Sequence, residues 1–471
     1  MRALTGMALP ASGAPRLRGG WEWRDRGRRP LWLGAVAAVC AAIGIVCGID
    51  PKYGLLAALG LAFAAAVFAN VTVGLFMFTF LAWLNAVTKG GGAVSGAKAA
   101  GLVLFLSWFA ARTLRPHQDQ QPLSEAHPGV TAAAVVLGTW SAISVVWAHS
   151  RGVALTSTYG LVLDMLLFPI VFFAIRRRDQ FLWILAAFVM GAIFSAMIGL
   201  GQSGSRQTGS LGDADQEGTL LAVALILLVG LVAGLPRGST WRRLAAVGVP
   251  ILAVGVVNAG SRGGLLALAC GLAAGAVFGG RWRAKAVAIL VVAAAGAGIY
   301  LTTIAPPAAS NHLSGTGSTG RTDLWKVGLR VWESNPVAGA GAGNFSSVSV
   351  DYVQEVDNIS FGQFIISQRP KPVHNTYLEL LADLGIPGLL AFLVIAVGSV
   401  SAALKAAQIY ERLGNAGAEL MSRCVALAVI AELTGAFFIT ATPLKLLWLI
   451  LALPFPLLAV ARAEARAPHP S

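Results

Sequence analysis

Four side chains in this sequence are of the types that handle phosphates and protons: Arg206, Arg262, Arg321 and His374. A guanidinium offers a planar fork of N–H donors that matches phosphate oxygens two at a time. An imidazole, with an ordinary pKa of ~6.5, can accept a proton near neutrality. Two or three arginines and one histidine are therefore enough to hold a diphosphate leaving group and deprotonate an acceptor hydroxyl. Each of the four stands in a short polar segment next to an apolar one. Arg206 lies in Ser205-Arg-Gln-Thr-Gly-Ser-Leu-Gly-Asp-Ala-Asp215, and Arg262 in Asn258-Ala-Gly-Ser-Arg-Gly-Gly264. Arg321 opens a helical pattern that runs to Ser334, and His374 opens another that runs to Gly385.

Blander readings exist for each. Arginines at the ends of apolar segments also snorkel to headgroups, and a lone histidine is more often structural than catalytic. Asp213 and Asp215 form a D-x-D pair that can hold a divalent cation, although such pairs in polar loops usually hold none. No metal and no cofactor is expected. Gly339-Ala-Gly-Ala-Gly-Asn-Phe345 resembles a dinucleotide motif only superficially. It lacks the preceding strand and the GK[ST] ending, so a tight backbone turn is the better reading. Cys40, Cys47, Cys270 and Cys424 sit in apolar stretches without CxxC spacing and are expected to pack.

The elements that position these residues follow from composition. Of 471 residues, 56% are apolar and 12% are charged, against roughly 25% charged in a soluble domain. Mean hydropathy is +0.72. That excludes a soluble enzyme, a disordered chain and a disulfide scaffold, and predicts an all-α polytopic membrane protein of about 12–14 spans. Fourteen candidate spans are legible, eleven before residue 305 and three after 385. The pair within 54–87 is marked as two helices by Asn70 and Thr72 alone. The expected organisation is a basic cytoplasmic tail over 1–30, a bundle over 31–304, an extracytoplasmic loop module over 305–385, further spans over 386–461, and a cytoplasmic tail over 462–471.

The net charge of +14 raises the possibility of a nucleic-acid partner, but its distribution argues against one. Most basic residues fall on the side of the N-terminus, as the positive-inside bias predicts for cytoplasmic segments. Both termini are then cytoplasmic, and the basic residues face anionic headgroups. Arg206, Arg262, Arg321 and His374 fall on the outer side. The long outer loop, 305–385, is not basic overall. Its length marks it as functional rather than a simple connection. Leu324, Val327, Gly328 and Val331 form an apolar stripe at helical spacing, and Asn335-Pro336 stops that helix. Tyr377, Leu380, Leu381 and Leu384 form a second stripe, which Gly385 and Pro387 end.

At these residues the sequence resembles the O-antigen ligase and polymerase superfamily of polytopic glycosyltransferases. The resemblance rests on an ordered set: Ser261-Arg-Gly-Gly264, Arg321-Thr-Asp-Leu-Trp325, Asn335-Pro336, Gly339 to Phe345, His374-Asn375, and Glu379-Leu-Leu-Ala-Asp-Leu-Gly385. It runs from about Arg206 to the end of the twelfth span. The N-terminal 200 residues match only in hydropathy. The resemblance implies a GT-C-like fold in the cytoplasmic membrane with its site on the outer face. It implies inverting, metal-independent transfer of a glycan from a polyprenyl-diphosphate carrier to a lipid, wall-polymer or glycan acceptor. It also implies that Arg262 and Arg321 bind the diphosphate, that His374 is the base, and that Arg206 is a second diphosphate contact. This chain has Gly-Asp-Ala-Asp where many relatives carry Asp-Pro-Asn after that arginine. A polysaccharide polymerase uses the same donor and residues. A lipid-glycan transporter, a protein O-glycosyltransferase and a membrane scaffold are the other readings, and no internal repeat of the transporter kind is visible.

Overall fold

The computed structural model describes residues 38, 40–42, 44–84, 96–114, 121–202, 206–314, 320–357, 359 and 371–467. The basic tail over 1–30, Ser205 and the stretch 360–370 of the long loop lie outside the described residues. Those that are described form helices and turns, with no strand among them. Among the described residues, seven helices are long and apolar enough to cross a membrane: Arg151–Ala174, Arg178–Leu200, Ala214–Gly234, Thr240–Asn258, Gly280–Thr303, Thr376–Arg412 and Lys445–Arg466. Shorter apolar helices include Val71–Leu84, Ala99–Leu114, Pro128–Ser144 and Arg262–Phe278. The chain is thus an all-α polytopic membrane protein. By contacts it divides into Met1–Ala65 and Ala66–Ser471, and Arg206, Arg262, Arg321 and His374 all lie in the second unit.

Local chemistry sets the breaks. Asn70 ends one helix and caps the next, its side-chain oxygen accepting from the backbone N–H of Thr72 at 2.9 Å and of Val73 at 3.4 Å. Within Thr376–Arg412 the backbone leaves the helical region at Gly385 (φ 65°, ψ −164°). A side chain there would strike the Val337 carbonyl, 2.1 Å from an added Cβ, so only glycine makes this bend. The bend separates a short helix, Thr376 to Leu384, from the span that follows it.

The long loop folds into a small module. The stripe of Leu324, Val327, Gly328 and Val331 is buried as expected. Leu324, Val327 and Val331 pack with Phe345, Val348 and Val373 into one apolar cluster. The short helix departs from the sequence expectation of a single apolar face. Leu378 and Ala382 face the module core. Tyr377 faces the C-terminal helices, its hydroxyl donating to the Leu433 carbonyl at 2.7 Å. The helix is covered on two sides because it lies between the module and the bundle.

The glycine-rich segment is a turn, and it has a specific partner. Gly339, Gly341 and Gly343 all have positive φ, which aims successive N–H groups inward. Asp383 accepts them: Gly343 N donates at 2.9 Å and Phe345 N at 2.6 Å. Asn344 ties the same turn to the bundle, its oxygen accepting from Ser150 N at 2.7 Å. The turn clamps the module to the short helix.

Candidate functional site

Arg262 is placed by the Ser-Arg-Gly-Gly run that carries it. Ser261 caps the helix Arg262–Phe278 by accepting from Gly264 N at 3.0 Å. Gly264 lies against the backbone of Gly218, which a Cβ would meet at 2.6 Å. This close approach brings the first turn of Arg262–Phe278 beside the first turn of Ala214–Gly234. Asp213 caps the latter helix, accepting from Asp215 N and Gln216 N at 2.9 Å each. Arg321 is the first residue of its helix, after Gly320 in the left-handed conformation. His374 immediately precedes Asn375, which caps Thr376–Arg412 by accepting from Leu378 N at 3.0 Å. Four helix N-termini thus carry the site, and their partial positive charges add to those of the arginines.

The three arginines converge. Asp215 sits between two of them: its Oδ1 accepts from Arg206 Nη2 at 2.5 Å, and its Oδ2 accepts from Arg321 Nη2. The Ser261 hydroxyl also hydrogen-bonds to this carboxylate. Arg206 Nε donates to the Ala259 carbonyl at 3.1 Å, which fixes the side chain over the Asn258–Gly260 turn. Arg262 donates from Nε and Nη2 to the His312 carbonyl, at 3.1 and 2.7 Å, while Arg206 Nη1 lies 3.5 Å from His312 Nε2. The short helix Pro307–Ser314 therefore covers Arg206 and Arg262 together. Arg206, Arg321 and Asp215 are each about one-fifth exposed, so these charges are shielded but reachable.

His374 faces the same charges. Its pKa is held below the usual imidazole value by burial, then by the Arg321 guanidinium, with Asp213 and Asp215 pulling the other way. Among the described residues it is the one non-glycine residue with positive φ, at 52°, a conformation that costs a side chain roughly 1 kcal/mol or more and recurs at functional sites. The ring is thus neutral near pH 7 and stands beside the cation cluster, which is the state a general base needs.

Asp215 and His312 link the three arginines singled out in the sequence, and His374 lies within electrostatic reach of Arg321, Asp213 and Asp215. The D-x-D pair does not act as a pair: Asp213 caps a helix and Asp215 bridges two arginines. His312 was not anticipated, and nothing in its sequence neighbourhood marks its carbonyl as the partner of Arg262. The role of Asp383 was also missed. Its signal was the alternating glycine run, because a row of inward N–H groups calls for an anion. Beside the short helix lies a cavity of about 360 Å³ whose lining includes Ser157, Asp164, Glu379, Asp383, Thr442 and Lys445. Carboxylates, hydroxyls and an ammonium therefore face one space.

The bridging carboxylate makes a testable prediction. Asp215→Asn leaves Arg206 and Arg321 without the anion that offsets their mutual repulsion and orients them. We expect donor KM to rise about tenfold and transfer to fall further, read from initial rates over a donor titration. Unchanged kinetics would show that the bridge positions nothing.

No curated protein matches this chain. Residues 247–393 match the family model described as O-antigen ligase, a segment that holds Arg262, Arg321 and His374 and ends within the span after Gly385. Through that segment, about a third of the chain, the protein is similar to the O-antigen ligase family.

Proposed function

We propose that the protein transfers a glycan from a polyprenyl-diphosphate carrier to an acceptor hydroxyl, with inversion and without a metal, at the outer face of the cytoplasmic membrane. The observation that carries this reading is the convergence of three guanidiniums and four helix N-termini beside a neutral histidine. A cation cluster of this kind suits a diphosphate, whose negative charge grows as the sugar leaves. Arg262 and Arg321 hold the diphosphate, and Arg206 makes a further contact. His374 takes the proton of the acceptor hydroxyl as its oxygen attacks the anomeric carbon from the opposite side. One C–O bond to the sugar forms, one breaks, and the carrier departs as the diphosphate. The cavity beside the short helix suits the acceptor, because a mostly apolar wall carries a few carboxylates, hydroxyls and an ammonium that match the hydroxyls of a saccharide. Both termini are cytoplasmic on this reading, in keeping with the bias of basic residues.

The test is reconstitution. Purified protein in lipid nanodiscs is given a polyprenyl-diphosphate-linked glycan and candidate acceptors, with and without a chelator. We expect glycosylated acceptor and free polyprenyl diphosphate in equal amounts, unchanged by the chelator. Transfer to a second lipid-linked glycan would identify a polymerase. Movement of lipid-linked glycan across vesicles with no new glycosidic bond would replace the enzymatic reading with a transporter. Loss of activity on chelation would overturn the metal-free mechanism.

A further inference from the structure

A second site lies along the span Thr376–Arg412, near the end remote from His374. There the Pro128–Ser144 helix, this span and the Pro454–Arg466 helix enclose a groove of about 590 Å³. Its floor and walls are apolar, and Leu390, Val394 and Val397 are about half exposed or more, at 54%, 48% and 68%. Gly398 lets Val130 pack at the groove floor, since an added Cβ would meet it at 2.6 Å. From Leu390 to Lys405 the wall runs 15 residues, roughly 22 Å of helix. That length is most of the ~30 Å hydrocarbon thickness.

One end of the groove is cationic. Lys405, Arg462 and His127 line it from three different helices or their caps, and no carboxylate lines it. Neither Lys405 nor Arg462 has an ion-pair partner among the described residues, whereas Glu464, on the helix of Arg462, pairs with Arg178 at 3.9 Å. His127 Nε2 is buried without a hydrogen-bond partner, and the ring stacks edge-on to Phe455 at 4.9 Å. Burial first, then the charges of Arg462 and Lys405, push its pKa down to about 4. Two cations on separate helices thus line one groove, with no carboxylate among the described residues that line it.

We propose that this groove binds an anionic phospholipid, with the phosphate between Lys405 and Arg462 and an acyl chain along Leu390, Val394 and Val397. The apolar length requires a lipid rather than a free phosphate, and the unopposed cations select an anionic headgroup. Basic pockets between membrane helices on the cytoplasmic side are suited to such headgroups. The groove wall belongs to the span that continues, past the bend at Gly385, from the helix that His374 precedes. An occupied groove braces that span. The proposal stands whether or not the glycosyltransferase reading does, because it concerns binding alone.

The experiment measures lipid affinity on the full-length protein by native mass spectrometry, titrating phosphatidylglycerol against phosphatidylcholine of the same chain length. We expect selective retention of phosphatidylglycerol. In Lys405→Gln/Arg462→Gln, the loss of about 1 kcal/mol for each cation weakens that binding roughly thirtyfold, while phosphatidylcholine binding stays the same. Arg237→Gln/Arg242→Gln, on a separate basic surface, is expected to leave the selectivity intact. Val394→Phe fills the groove without touching the cations. It should weaken phosphatidylglycerol binding as well, which keeps the test available if the double variant does not fold. Equal retention of both lipids, or an unchanged affinity in the groove variants, overturns the proposal.

Discussion

Replacing His374 with asparagine is expected to lower glycan transfer by about 10²–10⁴, the usual contribution of a general base, while the protein stays folded. Asparagine suits the test because it tolerates the left-handed backbone that His374 adopts at φ 52°, whereas alanine at that position adds strain to the loss of the ring. The amide has a similar polar reach but cannot take a proton. The same residue sets the pH dependence. Burial and the Arg321 guanidinium both disfavour the imidazolium, so the acid limb of kcat/KM is expected below pH 6.5, with a plateau above it. The unfolded chain protonates this histidine at about pH 6.5 and the folded one only at lower pH, so its contribution to stability is complete above about 6.5. It declines as the pH falls from there to the lowered folded value. A pH–rate profile beside thermal unfolding at matched pH checks both statements. Full transfer by His374→Asn would remove the histidine from the mechanism.

Arg321→Lys is the second large effect. We expect a fall in kcat of about 10²–10³, comparable to removing one donor from a preorganised anion site. Lysine keeps the charge but not the fork. Arg321 commits Nη2 of that fork to Asp215 Oδ2, from a side chain that is one-fifth exposed, and an arginine has further N–H groups to offer a phosphate. An ammonium on a flexible stem would pair with Asp215 or reach the diphosphate, but would not be oriented to both. The fold does not depend on this side chain, because the helix is held by Leu324, Val327 and Val331 in the module core. Circular dichroism and size-exclusion chromatography on the variant separate lost chemistry from lost structure. If Arg321→Lys retained more than half of wild-type kcat, the residue would be serving as a point charge and its role in leaving-group stabilisation would need to be withdrawn.

The sequence alone determined the features that depend on short-range periodicity and on single residues. Apolar composition and segment length established an all-helical membrane protein. The 3.6-residue spacing of Leu324, Val327, Gly328 and Val331 identified a buried stripe. Asn70 and Gly385 marked real breaks, because capping and a positive φ are properties of one residue and its nearest neighbours. The arginines and the histidine were recognisable because few side chains combine those charges and donors at the ends of apolar segments.

Tertiary structure alone decided what those residues face. Asp215 meets Arg321 across 106 positions of sequence, and no spacing rule reaches that far. The close approach of Gly218 and Gly264 sets the helix of Asp215 beside that of Arg262, and the helix that Arg321 opens is held by the packing of Leu324, Val327 and Val331 in the module; both depend on how helices pack and not on the pattern within any one. The carbonyl of His312 and the glycine turn around Asp383 belong to the same class. Backbone groups carry no residue-specific label, so their partners emerge only when the chain is folded. Hydropathy leads to the expectation that the four candidate side chains share one side of the membrane, and helix packing decides which groups each of them meets.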